Sequence, residues 1–122
     1  MKLIGLAAVV LLVFVFALVG CTKFQESSSP EMTYEDYLSE VSAKCINLCF
    51  MAKDKGIDFT NGPCLGVIAT DWVCDVAHYP RQSIDNLPEN QCLAFREGNA
   101  HHFVEVNENC KVIVIDGKAA VN

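Results

Sequence analysis

The chain has 122 residues, with 9 Lys plus Arg against 15 Asp plus Glu and a formal net charge of −6 at pH 7. That length suits one small domain, and the acidic balance excludes the basic footprint on which nucleic-acid binding rests. Of the 52% hydrophobic residues a disproportionate share lies in residues 1–21, so the apolar excess belongs to a leader and the remainder has an ordinary globular composition.

Met1-Lys2 is a short basic start, and Leu3 through Gly20 is a run of 18 residues without a charged or polar side chain. A cleavable signal has a hydrophobic region of roughly 7 to 15 residues, whereas about 18 can span a bilayer, so length admits both an excised signal and a retained anchor. The end of the run, Leu18-Val19-Gly20-Cys21, resembles the lipobox of prokaryotic lipoprotein precursors, in which small residues precede a cysteine that takes a lipid and becomes the mature N-terminus. The resemblance implies that residues 1–21 are a signal peptide or membrane anchor, that Cys21 is the lipid attachment site, and that the rest lies on the extracytoplasmic face, at the cell surface or in the envelope. Residues 22–32 are Ser-rich and aperiodic, a flexible tether with a reach of roughly 20 Å. Without Lys2 the exported part carries 8 basic and 15 acidic residues, so attraction to anionic headgroups does not hold it at a membrane. The lipid or the hydrophobic segment is the expected membrane partner.

The folded domain is expected over residues 33–122. Thr33 reads as an N-cap, Glu35 and Asp36 face the positive helix end, and Lys53 and Lys55 precede Gly56 at the other end. Tyr34, Leu38, Val41, Cys45, Leu48 and Ala52 recur at spacings of three and four, which predicts a helix from about Thr33 to Lys55 with one buried stripe. Leu65 to Ala69 is read as a helical turn, and the β-branched run from Val73 as a strand. Tyr79-Pro80-Arg81 to Leu87-Pro88 is a loop leading to a short helix between Pro88 and Gly98. His101 to Val106 and Lys111 to Asp116 form the last element, a hairpin turning at Asn107 to Cys110. The resulting fold class is α+β: one long amphipathic helix packed on a small antiparallel sheet of three or four strands that ends in a hairpin.

Seven cysteines in so short a chain are explained by an oxidising compartment. With Cys21 assigned to lipid, Cys45, Cys49, Cys64, Cys74, Cys92 and Cys110 make an even six, which reads as three disulfides. Cys45 and Cys49 sit one helical turn apart, with Cβ atoms about 5 to 6 Å apart where a disulfide needs about 3.5 to 4.5 Å. Excluding that pair leaves 12 of the 15 connectivities, each tying the helix to later segments by two bridges. There is no Cys-x2-Cys pair, and no metal or cofactor is expected.

One constellation carries chemistry. Asn61-Gly62-Pro63-Cys64, then His101-His102-Phe103-Val104-Glu105-Val106, then Asp116 is similar to transglutaminase-like cysteine enzymes, in which a Gly-x-Cys turn opens a helix, a His-x-aromatic-x-Glu-Val strand follows and an Asp closes the next strand. That resemblance implies Cys64 as nucleophile, His101 as base and Asp116 as the group orienting the imidazole. It competes with the bridged state of Cys64, which the even count favours. The principal expectation is therefore a binding or structural module with an unidentified protein or small-molecule ligand, and the alternative is a thiol hydrolase or acyltransferase. Adjacent His101 and His102 start a strand, and their charge can change between about pH 5 and 8. Trp72 is a core anchor. Asp71, Asp75, Arg81 and Asp85 crowd one loop as a polar edge.

Overall fold

The structure is a computed structural model and describes residues 31–120. The leader, Cys21 and nearly all of the predicted tether lie outside the described residues. Among the described residues no helix is long and apolar enough to cross a membrane.

Helix α1 spans Tyr34–Asp54. Its start is held reciprocally: the Asp36 amide donates to Thr33 Oγ1 at 3.1 Å and the Thr33 amide donates to the Asp36 carboxylate at 3.1 Å. These two bonds satisfy donors that a helix N-terminus otherwise leaves open. Gly56, at φ 74°, ends the turn after Lys55. The residues buried along α1 are Val41, Cys45, Cys49 and Ala52. Tyr34, placed in the buried stripe from its spacing, is 62% exposed, because the seam follows the two cysteines.

Among the described residues the sheet has five strands in sequence order: β1 (Cys64–Ala69), β2 (Trp72–Val76), β3 (His102–Val106), β4 (Val112–Ile115) and β5 (Lys118–Ala119). Neighbours are antiparallel except β2 and β3, which are parallel with Trp72 opposite His102 and Asp75 opposite Glu105. The architecture is thus α+β with a five-stranded, mostly antiparallel sheet, where three or four wholly antiparallel strands were expected. The parallel pair has a cause in the chain length between its members, since a parallel connection must carry the chain back over the sheet. Residues 77–101 do this through two 3₁₀ turns, Ser83–Asn86 and Pro88–Asn90, and one turn of helix α2, Leu93–Arg96.

Two further expectations are corrected. Leu65 to Ala69 is strand, not a helical turn, because Val67 pairs with Val73 and Ala69 with Trp72. Cross-strand pairing of β-branched residues outweighs the three-and-four spacing there. The helix expected from Pro88 to Gly98 breaks at Gln91 and Cys92, which are extended where Cys92 bonds to Cys64.

Side chains alternate across each strand, so β2 and β3 divide the core into two. Trp72, Cys74, Val76, Val104 and Val106 face α1 and pack on Val41, Cys45 and Cys49. Val73 and Phe103 face the other side, under the crossover, with Cys92 and Ala100. Disulfides Cys45–Cys74 and Cys49–Cys110 tie α1 to β2 and to the residues after β3, and Cys64–Cys92 ties β1 to the crossover. Three disulfides suggest an extracytoplasmic location.

Candidate functional site

Alternation that sends Cys74 and Val104 toward α1 sends Asp75 and Glu105 to the crossover side, and the parallel register sets those two side by side. Glu105 is 4% exposed. A carboxylate so enclosed requires a partner, and Arg81 supplies it, its Nη1 donating to Glu105 Oε1. Arg81 is fixed in turn by Nε, which donates to Asn86 Oδ1 at 2.9 Å.

The crossover is held over the sheet by a second buried carboxylate. Asp85, 3% exposed, accepts the Gln82 amide at 2.8 Å and the His78 amide at 3.2 Å, and His78 Nδ1 lies 2.7 Å from its Oδ1. Burial works against ionisation of Asp85, but those amides and the imidazole outweigh it and hold its carboxyl below the usual range. Gly62 belongs to this arrangement. At φ 64° it takes a conformation that disfavours side chains, and a Cβ there would stand 2.5 Å from Asp85 Oδ1 and 2.9 Å from the Val76 carbonyl oxygen. Gly62 therefore serves close packing against the crossover.

Between crossover and sheet lies a cavity of about 90 Å³ lined by Val73, Asp75, Arg81, Gln91, Cys92, Phe95, Phe103 and Glu105. Phe95 and Phe103 meet edge to face at 5.3 Å and form its aromatic side. Asp75 lacks what its neighbours have. Its Oδ1 is buried with no hydrogen-bond partner among the described residues. Burial, then repulsion from Glu105 and Asp85, pushes its carboxyl up to about 8 against the opposing pull of Arg81. At neutral pH the pocket thus holds one ion pair and one predominantly protonated acid, an arrangement suited to accepting a hydrogen-bond donor or releasing a proton.

The residues of the proposed thiol triad are not brought together. Cys64 is bonded to Cys92 and begins strand β1 opposite Asp75, where the resemblance called for a helix start. Asp75 is three residues along β2 from Trp72, the partner of His102, a distance of roughly 10 Å along a strand. A disulfide sulfur carries no thiolate to attack with. The histidines and Asp116 sit at the far end: His102 Nδ1 lies 3.0 Å from Asp116 Oδ2, and His101 Nδ1 lies 2.7 Å from Asp71 Oδ1. His102, not His101, is therefore the partner of Asp116. His102 also stacks on Trp72, with ring centroids 4.8 Å apart, and Trp72 is buried in the core. His101 holds the Asp71 carboxyl below its usual range.

Of the expected polar edge, Asp75, Arg81 and Asp85 converge on the pocket and its cover, while Asp71 joins the histidines. Sequence reasoning missed that Glu105, Gln91, Phe95 and Phe103 line one cavity. The available signal was Glu105 itself, a charge flanked by Val104 and Val106 in a strand whose crossover partner strand places Asp75 in the same phase. No family model matches the chain, and comparison with curated proteins and with solved structures gave no match.

Proposed function

We propose that the protein is a small extracytoplasmic binding module, held at a membrane through its N-terminal segment and Cys21, and that the pocket between the sheet and the 77–101 crossover is its ligand site. The observation that carries the reading is the buried, partnerless Oδ1 of Asp75 in a cavity beside the Arg81–Glu105 pair. A buried polar atom without a partner costs about 1 to 3 kcal/mol, and a bound group supplying a donor removes that cost. The cavity is well below the ~300 Å³ at which drug-sized sites begin, so the ligand enters by a small headgroup. The bridged Cys64 gives the thiol-enzyme alternative no nucleophile.

Amide-shift mapping with a panel of small amines, carboxylates and amides tests the site. Shifts are expected at Val73, Asp75, Phe103 and Glu105, and shifts confined to other residues would refute it. Detergent phase partition of protein from the native membrane tests the anchor. The intact chain should enter the detergent phase and a Cys21→Ser variant should lose its lipid mass; an unlipidated Cys21 in the native protein would overturn the lipoprotein reading.

A further inference from the structure

The pocket's chemistry specifies a ligand class. From the cavity's geometry we infer that the headgroup it takes is a small organic cation carrying N–H donors, a primary ammonium or a guanidinium, seated against Asp75 beside the rings of Phe95 and Phe103. The inference rests on reading the pocket as a ligand site.

Three arguments lead to it. The acidic groups around Asp75 are Glu105 from β3 and Asp85 from the crossover; the basic groups are Arg81, already bound to Glu105, and the His78 imidazole, already bound to Asp85. An anion entering there meets an excess of carboxyl groups, while a cation adds the missing positive charge. Asp75 Oδ1 is an acceptor site without a donor, and an ammonium or guanidinium N–H makes the charge-assisted bond. Phe95 and Phe103 form one side of the cavity, and aromatic faces attract cations within about 6 Å of the ring centre. Protonation of Asp75 and the positive charge of Arg81, which lines the same cavity, oppose binding. A cation therefore displaces a proton: the carboxylic O–H of Asp75 breaks, the proton passes to buffer, and the carboxylate pairs with the ligand. Positive charge enters with the ligand and leaves with the proton, so the balance closes without a further reactant.

The test is calorimetry of the oxidised full chain at pH 7 in two buffers of different ionisation enthalpy, with amide-shift mapping alongside. The probes are ethylammonium, guanidinium, tetramethylammonium, acetate and acetamide, each as a simple salt or neutral compound. Ethylammonium or guanidinium should shift Val73, Asp75, Phe103 and Glu105 and release close to one proton per ligand. Asp75→Asn should weaken their binding by about tenfold or more and abolish the proton release, while its unchanged far-strand amide pattern shows that the fold is intact. Tetramethylammonium, which has no N–H, should bind more weakly than ethylammonium. If acetate or acetamide shifts the same amides and the cations do not, the cation class is wrong while the pocket stands as a binding site. If no probe shifts them, both readings fall.

Discussion

A titrating carboxyl with one enclosed, partnerless oxygen makes stability depend on pH with a definite sign, and Asp75 is the place to measure it. The carboxyl stands at 3.8 in an unperturbed setting and at about 8 in the fold. Between those values the unfolded chain has lost the proton and the folded chain keeps it, so the folded state binds more protons and stability falls as pH rises. The loss begins above pH 4 and levels off once pH passes the folded value near 8. Its slope reaches about 1.4 kcal/mol per pH unit, which gives a deficit on the order of 4 kcal/mol at pH 7 relative to pH 4. Asn has the shape of the protonated acid and does not titrate. Asp75→Asn should therefore match the parent at pH 4 and exceed it in stability by a margin that widens through pH 6 and 7 and stops widening near pH 9. Denaturant melts of the oxidised protein at those four values read the difference directly, and the other carboxylates, common to both chains, largely cancel. A margin independent of pH, or an Asn variant less stable than the parent at pH 9, would show that Asp75 is not protonated in the fold and would refute the reasoning.

The remaining predictions concern what holds the pocket in shape. Arg81→Met should cost about 2 kcal/mol, below the usual range for breaking an enclosed pair because the Arg81 side chain is 42% exposed, and a further Glu105→Gln change should recover part of the loss in the same melts. Removing Cys49–Cys110 by a double Ser substitution should lower stability by about 4 kcal/mol from the entropy of a 61-residue separation, and removing Cys64–Cys92, with a separation of 28, by slightly less. The two removals should differ in hydrogen exchange: loss of Cys64–Cys92 should speed exchange in the crossover and leave α1 protected. Mass mapping of non-reduced peptides should return the three pairs, and any free thiol at Cys64 would contradict the fold and reopen the thiol chemistry.

Local physics made part of this protein legible from residue order. The cap at Thr33, the helix-ending Gly56 and the apolar spacing between them all act within a few residues of one another, and the helix they indicate packs on a sheet in an α+β arrangement. The even count of cysteines beyond Cys21 and the geometric bar to a Cys45–Cys49 bond likewise follow from composition and helix dimensions. The resemblance at Gly62-Pro63-Cys64 misled because a motif fixes residue types and spacing, while bonding of Cys64 to Cys92 depends on a partner 28 residues away.

The tertiary structure alone decided the parallel pairing of β2 and β3, the partner chosen by each cysteine and the meeting of Asp75, Arg81 and Glu105. Arg81 and Glu105 are 24 positions apart, and Cys64 and Cys92 are 28 apart. Period and propensity report on which face a residue turns to its neighbours, and they carry no information on which distant face is brought against it. Asp75 shows the limit most clearly. Its residue type and strand position were readable, but its missing hydrogen-bond partner and raised affinity for a proton arise only when the crossover lies over the sheet and encloses its Oδ1.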